Sequence, residues 1–87
     1  MTIEELRMKI DETDDAIVKL FIERMGYTNA IGEEKRKQNL PVKNELREKQ
    51  LLERLSSSVE PEYSEAVYAL YEKIMEISRN YQEKGKR

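Results

Sequence analysis

Residues 2–38 read TIEELRMKIDETDDAIVKLFIERMGYTNAIGEEKRKQ, and this stretch decides the fold. Ile3, Leu6, Ile10, Ile17, Leu20, Tyr27 and Ile31 fall at helical three- and four-residue spacings, which mark one face of a helix. Thr2 suits the N-cap, with Glu4 and Glu5 in the first turn. Gly26 and Gly32 weaken the pattern by about 1 kcal/mol each relative to alanine, without ending it. No clear stop precedes Gln38-Asn39-Leu40-Pro41. About 36 residues at about 1.5 Å each span roughly 54 Å, too long for a compact monomer of this size. Such a helix, carrying an apolar seam, asks for a partner chain.

Continuing the spacing from Leu20 leads to position 24, where the residue is arginine. A guanidinium in a packing seam is costly unless a carboxylate or another anion meets it. The chain therefore reserves a place there for negative charge.

Working outward, Leu40-Pro41-Val42-Lys43 is the first break. Asn44 caps a second helix from Glu45 to about Leu55, with Leu51, Leu52 and Leu55 as its apolar face, and Ser56-Ser57-Ser58 ends it. Pro61 opens a third helix with Tyr63, Val67, Leu70, Ile74, Ile77 and Tyr81 at heptad spacing. The last residues, 83–87, are expected to fray. No repeat, linker or strand pattern interrupts this order. The expected architecture is a single all-α domain over residues 1–87, with three helices in the order long, short, long.

Composition narrows the chemistry. The 87 residues include no cysteine and no histidine, so disulfides, thiolate metal sites and Ser-His-Asp or Cys-His nucleophilic machinery are excluded. A net charge of −2 argues against nucleic acid or an anionic membrane as a partner, and confines any positive field to a local site. No run approaches the roughly 20 apolar residues of a membrane span. Met1-Thr2-Ile3-Glu4-Glu5 has neither a basic n-region nor an apolar h-region, so a cytoplasmic chain without a signal peptide is expected.

At about 100° per residue, Arg24, Thr28, Ile31 and Lys35 lie within about 60° of one another, with Arg24 and Lys35 about 16 Å apart along the axis. Two long cationic side chains leaning toward each other across that gap leave room for a small dianion. Glu48 on the second helix, with Ser78 and Gln82 on one face of the third, are placed to close such a pocket. Arg7 precedes Arg24 by about 25 Å on the same helix, so one small ligand cannot touch both. Arg7 is either a surface residue or reaches the site of a second protomer.

Taken singly, each residue has a plainer reading. Arg7 is a solvated helix residue, and Arg24 pairs with Asp14 or Glu48. Lys35 belongs to the wet run Glu33-Glu34-Lys35-Arg36-Lys37, and Arg47 makes an exposed salt bridge worth under about 1 kcal/mol. Ser78 and Gln82 are ordinary helix polar residues, and Tyr63, Tyr68, Tyr71 and Tyr81 are core and rim.

Together the pieces say more. Leu6-Arg7-x-x-Ile10-Asp11-x-x-Asp14, Glu23-Arg24-Met25, Ile31-Gly32-x-x-Lys35, Pro41-Val42, Arg47-Glu48 and Met75-Glu76-x-Ser78-x-x-x-Gln82 occur in order from about Ile3 to Gln82. That series resembles the all-helical class of chorismate mutases. The resemblance implies an intertwined homodimer with two equivalent sites, each completed by Arg7 of the other protomer. It implies that Arg7 and Arg24 grip the two carboxylates of chorismate, with Arg47 and Ser78 in support. Lys35 and Gln82 face the ether oxygen, and Glu48 accepts from the ring hydroxyl. The family often carries an acidic residue where this chain has Asn44; asparagine keeps the helix cap and any backbone contact with substrate.

The implied reaction, chorismate to prephenate in the route to phenylalanine and tyrosine, is a unimolecular sigmatropic rearrangement. It needs no nucleophile, proton transfer, metal or cofactor, which suits this residue inventory. Its nearest rival on the same fold is an isochorismate pyruvate-lyase. From another class, a non-catalytic helical dimerisation module is the competing reading.

Overall fold

The computed structural model describes residues 1–84, which form three α-helices. Helix α1 spans Ile3–Lys37, α2 Glu45–Ser57 and α3 Pro61–Lys84. The molecule is flat and elongated, 54 × 27 × 14 Å.

Each helix end has a local cause. Thr2 Oγ1 accepts from the Glu5 N–H at 3.1 Å, and the Glu5 carboxylate accepts from the Thr2 N–H at 3.2 Å, closing a capping box. At the other end Asn39 adopts φ 57°, the left-handed conformation that asparagine tolerates. The Leu40 N–H reaches back to the Lys35 carbonyl (2.8 Å) and the Asn39 N–H to that of Arg36 (3.2 Å), a Schellman closure. Pro41 then prevents the helix from resuming. Asn44 Oδ1 accepts from the Arg47 N–H at 3.0 Å and starts α2. The serine run ends it: Ser57 Oγ donates to the Glu53 carbonyl and Ser58 Oγ to that of Leu55.

The third helix is the common neighbour. It packs against α2 through Glu48, Leu51, Leu52 and Leu55 and against the C-terminal half of α1, while α1 and α2 do not pack on each other. Leu51, Leu52 and Met75 form the core, joined by the half-buried Leu55 and Tyr71. The apolar face read for α2 is the one that packs.

On α3 the stripe read from heptads is not the one enclosed. Tyr63, Leu70 and Tyr81 are exposed, whereas Met75, Ser78 and Gln82 are buried. Helix α3 has two faces in use. One, carrying Met75, Ser78 and Gln82, is covered by α2 and the end of α1. The other lines an open apolar groove, where Leu70, Ile74 and Ile77 face Ile17, Leu20 and Phe21. A second correction concerns the C-terminus. Glu83 and Lys84 continue the helix instead of fraying. The Lys84 ammonium stacks over the Tyr81 ring, 5.3 Å from its centroid, and is favourably placed at the negative end of the helix dipole. The remainder of the expected frayed tail, 85–87, lies outside the described residues.

From Ile3 to Ile31 the only buried apolar side chain of α1 is Met25. Within this chain, then, the long helix leaves most of its seam uncovered.

The two interior glycines of α1 differ. A Cβ at Gly26 would meet nothing within 4 Å, whereas one at Gly32 would lie 2.9 Å from Gln82 Cγ. Gly26→Ala should therefore raise stability by up to about 1 kcal/mol through helix propensity. Gly32→Ala should lower it despite the same propensity gain, because the Gln82 side chain must leave its place against α1 or the two helices must separate. Thermal melts of both variants at one protein concentration check this.

Candidate active site

Because α1 and α2 each lean on α3 and not on each other, a cavity of about 170 Å³ remains between them, floored by α3. Helix α1 supplies Arg24, Thr28, Ile31 and Lys35 to its wall, which confirms that these four share a face. Val42 and Asn44 come from the connection, Arg47, Glu48 and Leu51 from α2, and Met75, Ser78, Arg79 and Gln82 from α3. Four cationic side chains and one carboxylate therefore line a cavity in a chain of net charge −2. The positive field is local, as the composition required.

Arg24 pairs with neither Asp14 nor Glu48. Its Nη1 donates to Ser78 Oγ at 3.2 Å, and its guanidinium lies over the Tyr71 ring, 5.8 Å from the centroid. Both partners are neutral, so the charge of Arg24 is held in place without being cancelled. The Ser78 hydroxyl donates to the Ile74 carbonyl at 2.9 Å, one turn back, and so meets Arg24 through a lone pair. Ser78 is 5% exposed. In this geometry it orients the arginine, while its own proton faces the Ile74 carbonyl, with Met25 Sδ 3.6 Å away as a second acceptor.

Lys35 is half-buried, not part of a wet face: its Nζ donates to the Val42 carbonyl at 2.6 Å. An ammonium has three donors, so the charge remains available to a ligand. Gln82 is buried, and its Nε2 donates to the Thr28 carbonyl at 2.9 Å. That bond fixes the amide, because the reverse orientation would set two carbonyl oxygens against each other. One Nε2 hydrogen remains to be shared, and Oε1 is buried with no donor among the described residues. Gly32 makes this placement possible by offering no side chain where Gln82 passes.

Arg47 is exposed, and its guanidinium meets no partner among the described residues; only its backbone N–H is engaged, by Asn44. The side-chain oxygen of Asn44 is accordingly committed to the cap. Arg7 stands apart, exposed near the start of α1 and absent from the cavity wall, as the helix length demanded.

Two participants escaped the sequence reading. Arg79 donates through Nη1 to Glu48 Oε1, pairing α3 with α2 at the cavity wall. Its signal was present: Met75, Arg79 and Gln82 continue the enclosed face of α3 at four- and three-residue steps. The Val42 carbonyl, acceptor for Lys35, had no signal, since a backbone atom leaves no mark on side-chain pattern.

No described residues group three or more acidic side chains as a metal site would need, and no helix among them is long and apolar enough to cross a membrane. The cavity presents convergent cationic and amide donors, suited to a small polyanion with a further donor for Glu48. No curated protein and no solved structure matches the chain. The family model for chorismate mutase type II does match it, over residues 6–83, and on that extent the chain belongs to the chorismate mutase type II family.

Proposed function

We propose that the protein is a cytoplasmic, homodimeric chorismate mutase that converts chorismate to prephenate. The observation that supports this most is the convergence of Arg24, Lys35, Arg47, Glu48, Ser78 and Gln82 on one cavity in a chain of this family. The reaction asks for two services. The substrate must be held in the diaxial conformer that brings the reacting carbons together, and the negative charge growing on the ether oxygen must be stabilised.

Arg24 grips one carboxylate, its planar fork matching the two oxygens and its orientation set by Ser78 and Tyr71. Arg47, exposed at the mouth, supports the substrate as it enters. Arg7 of a second copy grips the other carboxylate. Lys35, with ammonium donors beyond the one given to Val42, and Gln82, with its remaining N–H, stabilise the ether oxygen as the C–O bond breaks. Glu48 accepts from the ring hydroxyl. Asn44 holds the start of α2, and with it Arg47 and Glu48, in register.

A second copy is supported by the uncovered seam of α1 and by the open groove between Ile17, Leu20, Phe21 and Leu70, Ile74, Ile77. Covering them with another chain removes apolar surface from water and carries Arg7 across to the site that lacks it.

Product analysis after incubation with chorismate decides the reading. Prephenate is expected; turnover of isochorismate to pyruvate and salicylate, with chorismate untouched, would assign the lyase instead. A folded dimer with neither activity would leave the dimerisation module. Lys35→Ala and Gln82→Ala should each lower kcat by about a hundredfold or more, as expected for loss of a transition-state donor. Gln82→Glu should make the rate fall as pH rises, because only the protonated carboxyl can donate and the carboxylate would repel the developing charge.

Arg7→Ala and Arg24→Ala should each be nearly inactive alone. Mixed in equal amounts under subunit exchange, they should recover about a quarter of wild-type activity, since half the dimers then carry one intact site. No recovery after demonstrated exchange would show that Arg7 and Arg24 do not share a site across protomers.

A further inference from the structure

The proposed rearrangement leaves the role of Arg79 open, although it contributes one of the four cations to the cavity wall. It pairs with the single carboxylate there, from a helix 31 residues away in sequence. The side chains of Arg79 and Glu48 are 28% and 21% exposed. The pair is half-buried and lies on the cavity wall, so what it does to the site has to be considered beside what it does for packing.

Glu48 stands among Arg24, Lys35 and Arg47, which also line the cavity. Without a cation of its own, its carboxylate would be drawn to one of these three. That would cancel a charge a dianion needs and set a negative group beside the incoming carboxylates. Arg79 prevents this by engaging Glu48 Oε1 from the α3 side. Oε2 accepts no hydrogen bond among the described residues, and so remains for a donor on the ligand. Arg79 directly follows Ser78 and precedes Gln82 by three residues on one continuous helix, which gives Glu48 a rigid reference frame.

We infer that Arg79 is a positioning residue that fixes Glu48 and thereby gives the site its preference for a dicarboxylate bearing a ring hydroxyl. The inference rests on the rearrangement proposed above and adds its specificity determinant.

The test is steady-state kinetics with chorismate and with its analogue lacking the ring hydroxyl. Wild type is compared with Arg79→Met, Arg79→Lys, Glu48→Gln and the double variant Arg79→Met/Glu48→Gln. Arg79→Met should raise KM for chorismate about tenfold and shrink the preference for the hydroxylated substrate by a similar factor in the folded protein. Arg79→Lys should restore most of the preference, since an ammonium can still hold the carboxylate. In the double variant the loss of preference should not exceed that of the worse single variant, because Arg79 acts through Glu48.

An unchanged preference in Arg79→Met would overturn the inference, as would losses that multiply in the double variant. If Arg79→Met does not fold, Arg79→Gln takes its place in the same comparison. A wild-type protein that turns over neither substrate would overturn the rearrangement and this inference together. An active wild type with indifferent Arg79 variants would overturn the inference alone.

Discussion

Everything in the site depends on how closely α1 approaches α3 at Gly32. There the absence of a side chain lets Gln82 lie against the helix, with its amide tied to the Thr28 carbonyl. A methyl group at Gly32 would stand 2.9 Å from Gln82 Cγ, so the approach is available to glycine and to little else. This approach sets the distance between the C-terminal half of α1 and the floor of the cavity. On one side of the contact the cavity opens toward α2; on the other the apolar groove opens toward Ile17 and Leu20. Arg24 lies where the two meet and lines both.

Two of the cavity's cations are held by groups that leave their charge intact, one is matched to the carboxylate present, and the guanidinium of Arg47 has no partner among the described residues. Arg24 is held by a hydroxyl and an aromatic face, and Lys35 by a backbone carbonyl. Glu48 is engaged by Arg79 and is thereby kept from the other three. An arrangement of this kind leaves positive field in the cavity that no group among the described residues cancels. The acidic net charge of the chain does not conflict with it, because the field is confined between helices.

The same architecture leaves the chain short of apolar burial. Met25, Val42, Leu51, Leu52 and Met75 are its buried apolar residues, while the seam of α1 from Ile3 to Leu20 faces outward. A chain of 87 residues has little surface to bury in any arrangement, and one stretched to 54 Å by a single helix has less. Length in α1 therefore adds little to the interior of this chain, and it separates Arg7 from Arg24 by more than one ligand can bridge.

Local interactions made much of this legible in the sequence. The helices, their caps at Thr2 and Asn44, the break at Leu40-Pro41 and the shared face of Arg24, Thr28, Ile31 and Lys35 all follow from spacing within one helix or from a residue and its near neighbours. The family, too, was visible in ordered motifs. Tertiary structure decided the rest. Which stripe of α3 is enclosed depends on what covers it, and α2 with the end of α1 covers Met75, Ser78 and Gln82 in preference to the more apolar stripe. The pairing of Glu48 with Arg79, the contact of Arg24 with Ser78 and the capture of Lys35 by the Val42 carbonyl depend on the same placement. Periodicity specifies directions around one helix axis; it carries no information about the rotation and height at which two helices meet, and those two quantities choose the partners.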